Sequence, residues 1–213
     1  RDAMKHEYYA SPLEEGGFLQ TANSEKEALI RSGIIAGMVD YQSDVAVDDG
    51  SYNRFADDPE ETITYVNCHD GYTIWDKINN STPDYSKEER IQVNKLAAAM
   101  ILTAQGKPFL HGGEEMLRSK PDPDNEEYGV DHNSYDSGDI TNEIDWDRKE
   151  EYSDVVDYYK GLIELRSSHQ AFRMETMEEI QQGLTFIDED IDYLLGFKLE
   201  EQDGEDDWKE IVV

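Results

Sequence analysis

The residues of this chain whose types and position most favour chemistry are His69 and Asp70, which directly follow an apolar segment. Residues 62–68 are rich in β-branched and aromatic side chains and Gly71 follows the pair, so the sequence predicts a short strand ending there. In parallel α/β folds, ligands bind beyond the carboxyl ends of the strands, which places the pair on the functional face. Taken alone, the pair has an equally good structural interpretation, with Asp70 capping a turn and His69 as a structural imidazole.

A second acidic pair, Glu114 and Glu115, stands in the matching place after an apolar segment at residues 107–111. Between the two segments, a capping box that begins at Ser86 opens an amphipathic helix that ends at Gly106. The order strand, helix, strand predicts a right-handed βαβ unit with parallel strands. Both polar pairs are therefore expected at one edge of the sheet.

A long connection at residues 116–152 follows, and loops of this length are usually lids or binding elements. It carries side chains suited to a polar ligand with apolar faces, namely Tyr128, His132, Asn133, Tyr135, Asn142 and Trp146. The structural alternative is that these side chains only fix the loop to the rim of the fold.

The remaining elements are predicted from capping and periodicity. A capping box at Ser24 predicts a helix, a third helix is predicted at residues 154–168, and strands are expected to replace helices after Met174. The predicted strands lie at residues 184–187, 193–199 and 208–213. The chain starts without an initiator methionine and stops inside a strand, so we expect a segment of a longer protein.

The composition is strongly acidic, with 50 acidic against 19 basic side chains in 213 residues and a net charge of −31. Nucleic acid and anionic membranes are therefore excluded as expected partners. At low salt such a surface repels itself, whereas molar salt screens charges over roughly 3 Å. We interpret the charge as adaptation to a high-salt host, the alternative being an ordinary acidic protein with solvated faces.

Cys68 is the single cysteine, which excludes an intrachain disulfide, and its place in an apolar strand predicts a small buried side chain. No apolar run is long enough to span a bilayer, and the first residues lack the apolar core of a signal peptide, so both secretion and a cytoplasmic location stay open. The histidines lack the spacing of a metal-dependent phosphohydrolase. No cofactor is required, and although calcium is compatible with the acidic loops, residues 122–125 lack the glycine and distal glutamate of an EF-hand.

Several ordered motifs resemble the α-amylase superfamily of glycoside hydrolases, and within it the type I pullulanases. Residues 66–70 (VNCHD) resemble the superfamily motif after barrel strand seven, and residues 106–115 (GKPFLHGGEE) resemble the strand-eight segment. More specific to pullulanases are TIWDK at 73–77, LRSK at 117–120 and NSYDSGD at 133–139. Residues 142–146 and the opening residues 1–3 also resemble pullulanase segments, so the resemblance spans nearly the whole chain.

The resemblance implies an α/β fold in which residues 1–173 form the C-terminal part of a (β/α)8 TIM barrel. Residues 174–213 would begin an all-β sandwich domain. The order of predicted elements, βαβ unit, long loop, helix and hairpins, agrees with this assignment.

The resemblance also implies roles for individual residues. Asp70 resembles the carboxylate that stabilises the oxocarbenium-like transition state, and His69 resembles the histidine that hydrogen-bonds the sugar at the scissile bond. Asn133 and Tyr135 are the expected substrate-binding residues of the long loop. The implied activity is retaining hydrolysis of α-1,6 linkages in pullulan, amylopectin or glycogen.

The nucleophile and the acid/base of such enzymes follow barrel strands four and five, which lie upstream of Arg1, so the isolated chain is expected to be inactive. Glu114 and Glu115 are interpreted as rim residues without a chemical role. Many pullulanases have asparagine after the histidine–aspartate pair, whereas Gly71 is typical of isoamylase-like debranching enzymes. An isoamylase-like enzyme and a non-catalytic carbohydrate-binding homologue are therefore the alternatives.

Overall fold

The computed structural model describes residues 2–6, 12–21, 26–47, 54–187, 194–201, 204 and 206–213 as a mixed α/β chain. The chain divides into two compact units. The first consists of Arg1–Ala22, Tyr65–Ala98 and Phe109–Gly161, and the second of Asn23–Thr64, Ala99–Pro108 and Leu162–Val213.

Helices dominate the first unit and bury their apolar sides in a common core. The helices are α1 Asp2–Lys5, α2 Phe18–Thr21, α4 Ile74–Ser81, the first part of α5 Lys87–Thr103, α6 Asp139–Asn142, α7 Arg148–Glu151 and most of α8 Ser153–Ser168. The core contains Leu13, Val66, Ile74, Ile78, Ala97, Met116, Leu117, Val155 and Tyr159. The predicted capping box of α5 forms, because the Ser86 amide donates to Glu89 Oε2 at 2.7 Å and the Glu89 amide donates to Ser86 Oγ at 3.2 Å.

A parallel strand pair lies in the second unit, where β1 Ile63–Thr64 pairs with β2 Lys107–Pro108. The predicted parallel pairing is confirmed, but both strands are much shorter than the apolar runs that suggested them. Helix α5 ends before Gly106, whose φ of 84° favours glycine and whose added Cβ would lie 2.5 Å from Thr62 Oγ1. A side chain at position 106 would therefore disturb the approach of the two strands.

The second unit also contains an antiparallel sheet in the order β3-β4-β5, formed by Leu184–Ile187, Gly196–Glu200 and Glu210–Val212. The predicted hairpin and final strand are thus confirmed, although residues 188–193 between β3 and β4 lie outside the described part. The prediction that strands replace helices after Met174 is wrong at first, because helix α9 Met177–Gly183 precedes β3. A capping box between Thr176 and Glu179 opens it.

Helix α3, Glu27–Ile34, occupies the region of the first predicted helix, while the Ser24 cap lies outside the described residues. Helix α8 begins one residue before its predicted start. The long connection at residues 116–152 is not structureless, since it contains α6, α7 and a 3-10 turn at Ser134–Asp136. Among the helices of the described residues, none combines the length and apolar character that a membrane crossing needs.

Candidate functional site

His69 and Asp70 lie on a turn in the first unit, directly before the cap of helix α4. Both side chains are largely exposed, by 82% and 72%, and His69 Nε2 lies 3.5 Å from Asp70 Oδ1. Thr73 caps α4 by accepting from the Asp76 amide at 3.0 Å. The capping role that Asp70 could have filled therefore belongs to Thr73, and the Asp70 carboxylate stays open to solvent in the described structure.

The turn depends on a left-handed residue directly after the pair, because Gly71 has a φ of 80°. Glycine adopts this conformation freely and asparagine is among the next most tolerant residues. The backbone conformation at position 71 is thus compatible with either residue. Cys68 is half-buried, in contrast to the buried side chain predicted, because the strand ends at Thr64; its thiol donates to the Asp70 carbonyl at 3.4 Å.

Two buried lysines hold the backbone of this turn from the protein side. Lys120 Nζ donates to the His69 carbonyl and, at 3.1 Å, to the Gly71 carbonyl. Lys5 Nζ donates to the Tyr72 carbonyl at 2.7 Å. Residue type alone predicts neither position, because lysine is usually exposed. Lys120 lies in the LRSK motif, to which the resemblance assigns no role.

The long loop meets the turn at His132. The Gly71 amide donates to the His132 carbonyl at 2.8 Å, and the His132 and Tyr72 rings have centroids 5.5 Å apart. Asn133 follows directly and is exposed, with its amide donating to Asp131 Oδ1 at 2.7 Å. The predicted substrate-binding loop is thus brought beside the His69–Asp70 turn.

Tyr135 lies two residues further along, on the 3-10 turn Ser134–Asp136, and 81% of its side chain is exposed. Its ring is available for contact with a ligand face. The described contacts place the backbone of the loop against the turn, and the Asn133 and Tyr135 side chains are both exposed.

The prediction that Glu114 lies at the rim is wrong, because its side chain is only 1% exposed. Tyr159 Oη donates to its Oε1 at 3.2 Å, whereas its Oε2 has no hydrogen-bond partner among the described residues. Burial raises the pKa of Glu114 to about 7, against the opposing hydrogen bond from Tyr159. Glu114 is therefore a buried, protonatable group that a polysaccharide cannot reach in this structure.

His111 lies beside the same segment and is also buried. Its Nε2 is 3.3 Å from Arg118 Nη1, and the Glu114 amide donates to its carbonyl at 2.9 Å. Burial, reinforced by the nearby positive charges of Arg118 and Lys120, lowers the pKa of His111 to about 4. His111 is consequently neutral at physiological pH and serves as an internal polar contact.

The exposed pair is thus the group in this unit best arranged for contact with a ligand. A fixed carboxylate beside an imidazole can hydrogen-bond sugar hydroxyls and stabilise developing positive charge. In the part of the chain that the structure describes, no three histidine, cysteine, aspartate or glutamate side chains gather closely enough to hold a metal ion.

No family model matches the chain. It is 39% identical over 156 residues to a pullulanase of Bacillus subtilis, which covers 73% of this chain and 20% of that protein. An isoamylase of a Flavobacterium species is 27% identical over 150 residues, covering 58% of this chain and 18% of the isoamylase. The chain therefore spans about a fifth of the length of these curated relatives.

The solved structures that resemble this chain are also pullulanases. A pullulanase of Paenibacillus barengoltzii in complex with maltohexaose and α-cyclodextrin is 36% identical to this chain, with a TM-score of 0.84. The alignment covers 100% of this chain and 30% of the solved one. A pullulanase of Bacillus acidopullulyticus is 38% identical, with a TM-score of 0.79, over 94% of this chain and 22% of the solved one.

Proposed function

Because this chain is a pullulanase-type segment, we propose that it forms part of a starch-debranching glycoside hydrolase that cleaves α-1,6-glucosidic linkages with retention of configuration. The substrate is a branched α-glucan such as pullulan, amylopectin or glycogen. The observation that carries the proposal is the exposed His69–Asp70 pair, set on a turn whose carbonyls accept from two buried lysines, in a chain of this similarity.

In this proposal Asp70 is the transition-state stabiliser. A retaining glycosidase passes through an oxocarbenium-like transition state, and a fixed carboxylate beside the ring favours that charge more than it favours the neutral substrate. His69 hydrogen-bonds the same sugar. Asn133 and Tyr135, on the loop that meets the turn at His132, bind the glucan chain through the amide and the exposed ring.

The proposal also assigns the two parts of the chain to domains of such an enzyme. Residues 1–173 form the C-terminal portion of a (β/α)8 barrel, in support of which β1 and β2 are parallel and are separated by two helices. Residues 174–213 begin a β-sandwich domain, in support of which β3, β4 and β5 form an antiparallel sheet.

The nucleophile and the acid/base lie outside this chain. Retaining enzymes need these two carboxyl groups roughly 5 Å apart, and the burial of Glu114 makes it unsuited to replace either. The 213-residue chain alone is expected to show no turnover of pullulan in molar KCl. Measurable turnover by the purified chain would refute this placement of the missing groups.

The decisive experiment compares Asp70→Asn with a matched control, Asp84→Asn, in the full-length protein. Asp84 is an exposed aspartate in the turn between α4 and α5 of the same unit. Loss of one electrostatic stabiliser is expected to lower kcat on pullulan by about 10²- to 10³-fold, whereas Asp84→Asn leaves kcat unchanged. Equal kcat values for both variants and the wild type would show that Asp70 has no part in the reaction.

The same assay discriminates the alternatives. The Flavobacterium isoamylase similarity and Gly71 favour an isoamylase-like enzyme as the second candidate, which would prefer glycogen to pullulan. A protein that binds these glucans without hydrolysing either one would be the non-catalytic homologue.

A further inference from the structure

The turn that carries Asp70 is held by a buried positive charge directly beneath it. Lys120 is 1% exposed, and its ammonium group donates to the carbonyls of His69 and Gly71. These carbonyls belong to the peptide before Asp70 and to the peptide after Gly71. One side chain therefore fixes the backbone on both sides of the carboxylate.

Lys5 closes the ends of the same segment. It is fully buried, and its ammonium group donates to the Tyr72 carbonyl at 2.7 Å and to Asn67 Oδ1 at 3.3 Å. Residues 67 to 72 thus give four oxygen atoms to two lysines, which we call the lysine cradle. Charged donors make shorter and stronger hydrogen bonds than neutral ones, so the cradle restrains the turn more firmly than peptide amides would.

Lys120 is itself held in place by a second motif. Buried Asp76 accepts from the Lys120 amide at 2.9 Å and from the Ser119 hydroxyl. The Thr73 hydroxyl accepts from the Asp76 amide, so the start of helix α4 and residues 119–120 form one hydrogen-bonded unit. Thr73 and Asp76 of the TIWDK motif therefore meet Ser119 and Lys120 of the LRSK motif, although neither motif contains a residue of the proposed chemistry.

Two buried ammonium groups are costly to desolvate and are not needed merely to satisfy carbonyl oxygens, which amides or water can do. Catalytic groups must be held within a fraction of an ångström, and a displacement of 1 Å can lower a rate by about 10². We propose that the lysine cradle, and Lys120 above all, positions Asp70 for catalysis. This proposal rests on the proposed glycoside hydrolase function.

The test compares Lys120→Met with Lys77→Met in the full-length protein. Lys77 is an equally buried lysine of the same unit, and its ammonium group donates to the Pro12 carbonyl at 2.8 Å. Lys120→Met is expected to lower kcat on pullulan by about 10²-fold with KM changed less than threefold. Lys77→Met is expected to lower the urea midpoint to a similar extent while keeping kcat within about threefold of the wild type.

Chemical rescue separates positioning from folding. Adding propylammonium to Lys120→Ala should restore at least a tenth of the wild-type kcat, because the cation can donate to the two carbonyls, whereas propanol should not. Equal losses of kcat in Lys120→Met and Lys77→Met, or rescue by propanol as well as by the amine, would overturn the proposal. If Lys120→Met does not fold, Lys120→Arg is compared with Lys77→Arg by the same kcat and KM measurements.

A wild-type protein that is inactive on every glucan would refute the proposed function. Hydrogen exchange would then test separately whether the lysine cradle restrains the turn. The Gly71 amide, which donates to His132, should exchange at least tenfold faster in Lys120→Met than in Lys77→Met under conditions where both are folded. Equal exchange rates would show that the lysine does not hold the turn.

Discussion

Replacing Glu114 by glutamine should make the chain more stable at alkaline pH and should change little at acidic pH. A carboxyl whose pKa is raised from 4.5 to about 7 by burial lowers the unfolding free energy by about 3 kcal/mol once it ionises, at 1.36 kcal/mol for each pKa unit. Glutamine has nearly the same shape as the protonated acid and cannot ionise, so the variant avoids this loss.

The contacts around Glu114 agree with a protonated carboxyl. The Tyr159 hydroxyl carries one proton, yet it lies 3.2 Å from Glu114 Oε1 and 3.4 Å from Asn94 Oδ1. Tyr159 Oη donates to the ionised carboxylate, but once Glu114 is protonated this bond can reverse, so that the carboxyl donates to Tyr159 Oη and the phenol proton is left for Asn94 Oδ1. Burial also raises the pKa of Tyr159, so this phenol is the neutral partner throughout the range.

The sign of the pH dependence follows from proton counting. Between pH 4.5 and about 7 the folded state keeps the Glu114 proton that the unfolded state has lost, so the unfolding free energy falls as pH rises through this range. Below pH 4.5 Glu114 is protonated in both states and does not change the unfolding free energy. Above pH 7 its ionisation lowers the unfolding free energy by the full amount of about 3 kcal/mol.

The assay is urea unfolding of the 213-residue chain, followed by circular dichroism at a fixed molar KCl concentration from pH 4.5 to 8.5. The quantity of interest is the difference in unfolding free energy between Glu114→Gln and the wild type, because the other titrating groups cancel in it. Glu115→Gln, at the adjacent and more exposed position, controls for the change in net charge. A Glu114→Gln difference that stays constant across this pH range would refute the reasoning.

Two further predictions concern stability. Arg166→Met should lower the unfolding free energy by about 3 kcal/mol or more in a urea titration. The buried guanidinium donates to the carbonyls of Leu102, Ala104 and Gly106, and each carbonyl left without a donor costs about 1 kcal/mol or more. Arg173→Met, at an exposed position, serves as control and should cost less than about 1 kcal/mol. The unfolding midpoint should rise between dilute buffer and molar KCl because screening reduces the self-repulsion of a net charge of −31, and equal midpoints measured by circular dichroism would rule out the high-salt adaptation.

Local signals in the sequence predicted the hairpin and three of the described helices, α3, α5 and α8, but not α1, α2, α4, α6, α7 or α9. The Ser86 capping box forms as its spacing indicates, because both of its hydrogen bonds lie within one turn of chain. The same spacing at Thr176 and Glu179 opens helix α9, in a region where the sequence prediction had only strands after Met174. Residues 184–187 alternate between buried and more exposed positions and pair as expected.

The strand before His69 could not be delimited from sequence, because a strand exists only where a partner pairs with it. Residues 65–68 are as suited to a strand as Ile63 and Thr64, yet β2 pairs with those two residues alone. The chain that follows leaves the ladder, and its backbone groups are satisfied by lysine ammonium groups and a loop carbonyl.

The position of the candidate site was predictable while its support was not. His69 and Asp70 were identifiable because two polar residues ended an apolar run, which is a local property. Lys5 lies 62 and 67 residues, and Lys120 lies 51 and 49 residues, from the turn oxygens that they bind, and a lysine in sequence is by default an exposed residue. Their burial depends on the tertiary packing that brings four oxygen atoms together, so a site of this kind is recognised by its reactive residues and held by residues that sequence alone assigns to the surface.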